Sequence, residues 1–328
     1  MEERIGLSIV SPMYNEEANV SRTVTMIAEA MDGMPEPWEL IIVNDGSTDG
    51  TLAAARALEV DRPWLRVVSY PRNAGRGKAL RTGFEAARGE IIATTDFDLS
   101  YSPDHLRRMY DYLRAYPEAD IVLGSPYMPG GTVKDVPPLR HFVSRAGNVV
   151  LSFAMGGRFT TLSSVLRAYR REALESLDLY EDKKEIHLEI LSKATALGLR
   201  IHEIPAHLRG RKAGRSKFKM RATSLTHLLF SFSERPMMIF GTIGFILLFL
   251  GLTAGVGIAA MRYLGTLNPT RPLMTLMVLL VLAGIQIVTL GIISLQIAAL
   301  RKETYRVQMR TRRIERLLER DSKKEEEK

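Results

Sequence analysis

An α/β domain on a mostly parallel sheet, followed by a two-helix transmembrane hairpin, is the fold class that this sequence predicts. Three observations carry that expectation. Over the first 208 of 328 residues, short β-rich runs alternate with segments of helical periodicity. Two stretches without charge, Pro236 to Met261 and Pro272 to Leu300, are each long enough to cross a hydrocarbon core of roughly 30 Å at about 1.5 Å rise per residue. Charge is also unevenly spread: residues 1 to 208 hold 24 Lys and Arg against 29 Asp and Glu, Arg209 to Arg235 carries 8 against 1, and Arg301 to Arg320 carries 8 against 3. The net charge of +8 is therefore a basic belt on either side of the two apolar stretches. With 46% hydrophobic and 25% charged residues, the chain is neither disordered nor fibrous.

Taken in order, Leu7 to Ser11, Glu39 to Asn44, Leu65 to Ser69, Glu90 to Thr95 and Asp120 to Gly124 read as strands. Between them Asn19 to Asp32, Asp49 to Leu58, Gly77 to Ala87 and Ser102 to Ala115 read as helices. This rhythm predicts a sheet covered on both faces, with ligands at the carboxyl ends of its strands. Strand one runs into Pro12-Met13-Tyr14-Asn15-Glu16-Glu17, strand two into Asn44-Asp45-Gly46-Ser47-Thr48-Asp49-Gly50, and strand four into Asp96-Phe97-Asp98-Leu99-Ser100. Three acidic loops thus share one edge. Asp45 suits a ribose or a base, with Gly46 letting backbone approach a ligand; an ordinary Asx-turn, with Asp49 or Ser47 capping the next helix, fits the same residues. Asp96 and Asp98 stand one residue apart, so extended backbone turns both carboxylates to one side, where they can meet one divalent cation.

The charge-free stretches read as two spans, 236–261 and 272–300, because no soluble core of this size hides segments apolar on every face. Their connector holds only Arg262 and Arg271, so the positive-inside rule puts both outer ends in the cytoplasm. The domains expected are a cytoplasmic head at 1–218, an amphipathic membrane-interface segment at 219–235, the hairpin at 236–300 and a basic cytosolic tail at 301–328. Met1-Glu2-Glu3-Arg4 and the short apolar run after it lack the features of an export signal, which predicts a multi-pass protein of the cell (inner) membrane with both termini cytoplasmic. Zero cysteines exclude disulfides, thiolate metal sites and cysteine nucleophiles.

The loops together resemble glycosyltransferase family 2 proteins of the GT-A fold, a Rossmann-like nucleotide-sugar-binding domain, in order from Ser8 to Lys217. The motifs are Pro12 to Glu16, Val43 to Asp49, Arg72-Asn73-Ala74-Gly75-Arg76-Gly77-Lys78-Ala79 and Asp96 to Ser100. Gly124-Ser125-Pro126-Tyr127, Ser144-Arg145-Ala146-Gly147-Asn148, Glu203-Ile204-Pro205 and Arg211 to Lys217 narrow the likeness to the polyisoprenyl-phosphate sugar synthases, such as the dolichol-phosphate mannose synthases. The resemblance implies that Pro12, Tyr14, Glu16 and Asp45 surround the nucleotide of an activated sugar, with Lys78 and Arg211 on its diphosphate. It further implies that Asp98 ligates Mg2+ or Mn2+ directly, while Asp96 helps to hold the sugar or the metal shell. Glu189, in His187 to Lys193, often faces the site in relatives; a solvated helix residue is the other reading.

Transfer of a sugar from a nucleoside diphosphate requires a stabilised leaving group and an aligned nucleophile. A lipid phosphate is already anionic, with a second pKa of about 6, and does not strictly need a general base. Arg145, Arg211 and Lys217, with the Ser216 hydroxyl, are the candidates to hold it. The Arg209 to Lys217 run also suits anionic headgroups, and the two readings are compatible. A single inverting transfer from a UDP- or GDP-hexose to polyprenyl phosphate is the expected activity. The rivals are transfer to a lipid hydroxyl such as diacylglycerol, and a non-catalytic scaffold that binds nucleotide sugar.

The chain departs from relatives at Pro126, where many have an acceptor-binding arginine, and at Thr160, where many have an aspartate. The Gln-x-x-Arg-Trp signature of processive synthases does not occur. The tail reads as a juxtamembrane helix whose aliphatic residues leave homo-oligomerisation open. No aromatic platform accompanies its charge, so no nucleic-acid partner is expected.

Overall fold

Aliphatic and β-branched residues fill the first strands almost continuously, as strands buried on both faces require. The computed structural model describes residues 4–137, 144–145, 148–149, 152, 159–210, 236–265 and 271–326. Strands β1 (Leu7–Met13), β2 (Trp38–Asp45), β3 (Leu65–Tyr70), β4 (Ile91–Thr94) and β5 (Ile121–Ser125) alternate with helices α1 (Val20–Ala30), α2 (Thr51–Glu59), α3 (Arg76–Ala86) and α4 (Asp104–Ala115). Each lies at an expected position, with shifts at its ends.

Four further strands went unpredicted: β6 (Thr132–Lys134), β7 (Arg167–Arg170), β8 (Ile201–Pro205) and β9 (His207–Arg209). The main sheet runs β3-β2-β1-β4-β7-β5-β8. Only β7 is antiparallel to its neighbours, inserted between β4 and β5 with Thr94 opposite Arg167. Strands β6 and β9 form a separate parallel pair. Helices α5 (Arg171–Glu175) and α6 (Ile186–Leu197) follow β7.

Register decides which loops become neighbours. Leu7 to Met13 pairs with Trp38 to Asn44, and Leu7 to Val10 with Ile91 to Thr94, so β1, β2 and β4 deliver their carboxyl-end loops to one edge. Helix α3 comes close to the same strands through Gly83, where an added Cβ would lie 2.2 Å from Val10 Cγ1 and 3.2 Å from Val43 Cγ2. That approach sets the height of the first turn of α3 against the sheet edge.

The chain divides into two compact units, one holding the sheet domain and the other the described residues 236–265 and 271–304. The second contains α7 (Pro236–Tyr263) and the first part of α8 (Arg271–Glu326). Phe240–Tyr263 and Pro272–Tyr305 are long and apolar enough to cross a membrane, and only 11% of the most apolar window of each is buried. Small residues bring the two helices together: a Cβ on Gly244 would sit 3.0 Å from the Gly284 carbonyl, and one on Gly284 would sit 2.9 Å from the Leu248 nitrogen. The expected interface segment at 219–235 lies outside the described residues.

Gly83→Leu forces α3 off the sheet and is expected to cost about 1–3 kcal/mol, the usual penalty for overpacking. Thermal unfolding of the detergent-solubilised protein checks this; an unchanged midpoint contradicts the close packing.

Candidate active site

The first loop is shaped by Asn15, whose φ of 53° lies in the left-handed region that asparagine tolerates better than most residues. In that conformation its N–H donates to Ser47 Oγ at 3.0 Å and its Oδ1 accepts from the Thr48 N–H at 2.8 Å. Next to it, the Glu16 N–H donates to Thr51 Oγ1 at 2.9 Å, and its carboxylate accepts from Asn19 Nδ2 at 2.6 Å. The loops after β1 and β2 therefore form one body. Pro12, one residue before the end of β1, lies opposite Val43, and Tyr14 follows the strand, half-buried, on the same edge.

Asp45, only 5% exposed, is the hub of the second loop. Its carboxylate accepts from Tyr70 Oη at 2.8 Å, Asn73 Nδ2 at 2.9 Å, the Ala74 N–H at 2.7 Å and the Gly75 N–H at 3.0 Å. Burial and then the adjacent carboxylate push the Tyr70 phenol well above its ordinary pKa, so it stays a donor. Asp45 thus builds the turn that starts α3. Gly46, at φ 64°, is needed for contact with protein: a Cβ there would meet the Arg72 carbonyl carbon and the Asn73 nitrogen at 2.4 Å. The Asx reading also holds, since Asp49 Oδ1 accepts from the Thr51 N–H at 3.1 Å at the start of α2.

The third loop does not continue extended as expected. It turns at Phe97 and Asp98, with Leu99 at φ 51°, because the buried Phe97 side chain and the Thr23 Oγ1 hydrogen bond to the Phe97 carbonyl (2.7 Å) fix the backbone inward. Asp98 Oδ1 accepts from the Ser100 N–H at 3.0 Å and from its hydroxyl at 2.6 Å. Asp96 forms an ion pair with Arg76 at 3.2 Å. Arg76 begins α3, so this pair joins the helix start that follows the Asp45-held turn to the third loop.

Helix α3 is covered at its first turn by the segment before α6. The Lys78 N–H donates to the Asp182 carbonyl at 3.0 Å, Arg81 pairs with the Asp182 carboxylate, and a Cβ on Gly77 would strike the Glu181 carbonyl at 2.2 Å. Glu189 anchors that segment: its carboxylate accepts the Tyr180 and Glu181 N–H groups, each at 3.0 Å, and pairs with Lys193 at 2.5 Å. The solvated reading of Glu189 is therefore corrected, because its side chain is only 11% exposed and is engaged in building the loop.

Beyond β4, Arg167 is fully buried and donates to three carbonyls: Ser164 at 2.7 Å, His187 at 2.9 Å and Leu162 at 2.5 Å. The His187 ring is buried, with neither nitrogen hydrogen-bonded among the described residues. Burial, with Arg167 and Arg76 nearby, holds its pKa well below the ordinary value and keeps the imidazole neutral. On the far side of the sheet, Ser125 Oγ meets Thr160 Oγ1 at 2.6 Å, and the Thr160 and Thr161 N–H groups donate to Glu203 at 2.9 and 3.0 Å. Thr160 thereby binds the carboxylate that β8 brings. Tyr127 Oη lies 2.8 Å from Ser144 Oγ, and Asn148 Oδ1 accepts from the Leu162 N–H at 2.9 Å, while Arg145 between them is exposed. The Arg209 N–H donates to the Ser100 carbonyl at 2.8 Å, tying β9 to the Asp98 loop. Arg211, Ser216 and Lys217 lie outside the described residues.

Residues 8–178 match the family described as glycosyl transferase family 2. The chain belongs to that family. This family 2 glycosyltransferase is 32% identical to the dodecaprenyl-phosphate galacturonate synthase of Rhizobium johnstonii, over 90% of this chain and 88% of that protein. It is also 32% identical to the polyprenol monophosphomannose synthase of Mycolicibacterium smegmatis, over 69% of this chain and 85% of that protein. Among solved structures, glucosyl-3-phosphoglycerate synthase of Mycobacterium tuberculosis, in complex with Mn2+, UDP and glucosyl-3-phosphoglycerate, superposes with a TM-score of 0.55 at 24% identity. That superposition covers 70% of this chain and 80% of the other, and it agrees with a GT-A fold.

Whether the glycosyltransferase could hold a cation turns on its donors. Among the described residues, no three Asp, Glu, His or Cys side chains cluster as a protein-only cage. Asp96 and Asp98 supply hard carboxylate oxygens on one loop, and Ser100 orients the second. That set fits Mg2+ or Mn2+ held by one or two carboxylates and completed by substrate phosphates.

Glu189→Gln leaves the 5%-exposed Lys193 without its counter-charge and is expected to cost about 3–5 kcal/mol, as breaking a buried pair does. Hydrogen exchange at Tyr180 and Glu181 should speed up; unchanged protection there contradicts the anchoring role.

Proposed function

We propose that this glycosyltransferase is membrane-anchored and inverting, and that it moves one sugar from a nucleotide sugar to polyprenyl phosphate. The observation that carries the reading is the similarity to dodecaprenyl-phosphate galacturonate synthase along 90% of the chain, which takes in head and apolar helices alike. The mannose synthase relative, also named for a polyprenol phosphate product, supports the same acceptor class. The superposition on an enzyme crystallised with UDP and Mn2+ supports a nucleotide-sugar donor and a divalent cation.

In this reading Pro12, Tyr14, Glu16 and Asp45 line the nucleoside side, with Asp45 acting through the turn it holds. Asp96 and Asp98 hold Mg2+ or Mn2+, and Lys78 and Arg211 face the diphosphate. Arg145, Ser216 and Lys217 receive the acceptor phosphate. The bound cation supplies Lewis-acid stabilisation of the departing nucleoside diphosphate. The protein aligns the anionic lipid phosphate with the anomeric carbon, on the face opposite the leaving group, so one displacement inverts configuration. The acceptor is already charged, so no side chain need take a proton, which accords with a Glu189 carboxylate committed to structure.

The basic runs flanking the apolar helices favour a head, 1–218, and tail, 301–328, both on the cytoplasmic side of the cell membrane, with a multi-pass hairpin between them. The basic segment ending at 235 then meets anionic headgroups where a polyprenyl chain is embedded.

Purified protein in detergent with Mn2+ is expected to form a product of inverted configuration from one of a panel of UDP- and GDP-sugars, dependent on polyprenyl phosphate. Glycosylation of diacylglycerol alone would overturn the acceptor assignment. Asp98→Ala is expected to lower transfer by at least about 100-fold, of the order seen when a stabilising group at a developing charge is lost, without altering membrane insertion. Normal turnover by that variant discards the metal-site assignment.

A further inference from the structure

Arg76 has no role in the function proposed above, yet it stands between the two halves of the candidate site. Asp45, on the nucleoside side, holds the Ala74 and Gly75 N–H groups at 2.7 and 3.0 Å. Arg76 is the next residue, and its guanidinium reaches Asp96 at 3.2 Å. A nucleoside diphosphate between the Asp45 turn and the Asp96 loop would have to cross the span that this one side chain covers. The pair is accessible, with side-chain exposures of 37% and 20%, so it exchanges with competing ions more readily than a buried pair would.

We propose that Arg76 is an exchangeable counter-ion: it occupies Asp96 in the empty enzyme, yields it to the divalent cation, and then grips a non-bridging oxygen of the diphosphate. The inference rests on the nucleotide-sugar reading. Its physical basis is charge compensation in a small site. Asp96 and Asp98 without a cation are two like charges on one loop, and Arg76 neutralises one of them. The cation replaces that neutralisation and brings an anionic diphosphate with it, for which the freed guanidinium is the matching partner. Arg76 thus competes with the cation for Asp96 and serves as a ligand for the diphosphate.

Two affinities should move in opposite directions. In full-length protein in detergent, Mn2+ binding without nucleotide is followed by loss of the free-ion electron paramagnetic resonance signal, and UDP and GDP binding by calorimetry. Arg76→Gln is expected to bind Mn2+ about 3- to 10-fold more tightly, because a cationic competitor is gone, and the preferred nucleoside diphosphate with Mn2+ about 10-fold more weakly. Arg76→Lys should recover part of the diphosphate affinity. Asp96→Asn should bind the metal-free diphosphate more tightly than the unaltered protein, and that gain should vanish in the Asp96→Asn, Arg76→Gln double variant. If Arg76→Gln changes neither affinity, or weakens both, the exchange is overturned and Arg76 is a structural residue. If the unaltered protein binds no nucleoside diphosphate, the nucleotide-sugar reading falls, and the exchange with it; binding by the unaltered protein with an indifferent Arg76→Gln overturns the exchange alone.

Discussion

A single buried carboxylate organises the sheet edge where the acidic loops meet. Asp45 ends β2 and gathers two backbone N–H groups, an amide and a phenol from the segment Tyr70 to Gly75. An anion with this many donors is satisfied without water, and it fixes a turn that no regular secondary structure would hold. The start of α3 follows from that turn, the position of Arg76 follows from the start of α3, and the pairing of Arg76 with Asp96 links the turn to the third acidic loop. Glycines complete the arrangement by absence of bulk: Gly46 lets the Arg72–Asn73 backbone pass, and Gly77 lets the Glu181–Asp182 backbone settle on the helix.

The parallel half of the fold was legible because local pattern and long-range pairing agree there. Leu7 to Val10, apolar but for Ser8, and the apolar runs Leu40 to Val43 and Ile91 to Ala93 all become buried strands. Strands β6 to β9 are short and carry charge or histidine, so periodicity passes over them. Arg167 is the clearest case, for an arginine with three carbonyl partners is welcome in a core, yet in sequence it reads as surface. The hairpin was legible for the opposite reason, since charge-free runs of that length suit a hydrocarbon core and little else.

In the candidate site, residue types were legible but partners were not. Asp45, Asp96 and Asp98 stand on the expected edge, while the Asp45 donors lie 25 to 30 residues further along the chain, beyond the reach of any local motif. Glu189 sat in a recognisable helical segment, and only the fold reveals that it serves the loop at Tyr180. His187 and Arg76 lie within the motif segments, but what marks them is, among the described residues, a pair of ring nitrogens without hydrogen bonds and an ion pair, properties that exist only in three dimensions. The loss of an aspartate at Thr160 acquires a local explanation, because the threonine donates to a carboxylate that β8 supplies.

The insertion of β7 between β4 and β5 has a temporal consequence for biosynthesis. β4 ends at Thr94 and β5 begins at Ile121, but neither can take its final neighbour until Arg167–Arg170 has been synthesised. The sheet therefore grows first as a four-stranded half, β3-β2-β1-β4, with one edge waiting. Such non-local closure is slow and leaves an unpaired edge during translation. The last strand of the sheet, β8, precedes Pro236 in the chain, so the domain's pairing partners are all synthesised before the first apolar helix. Chain order thus lets the sheet close before the hydrophobic segments emerge to compete for that edge.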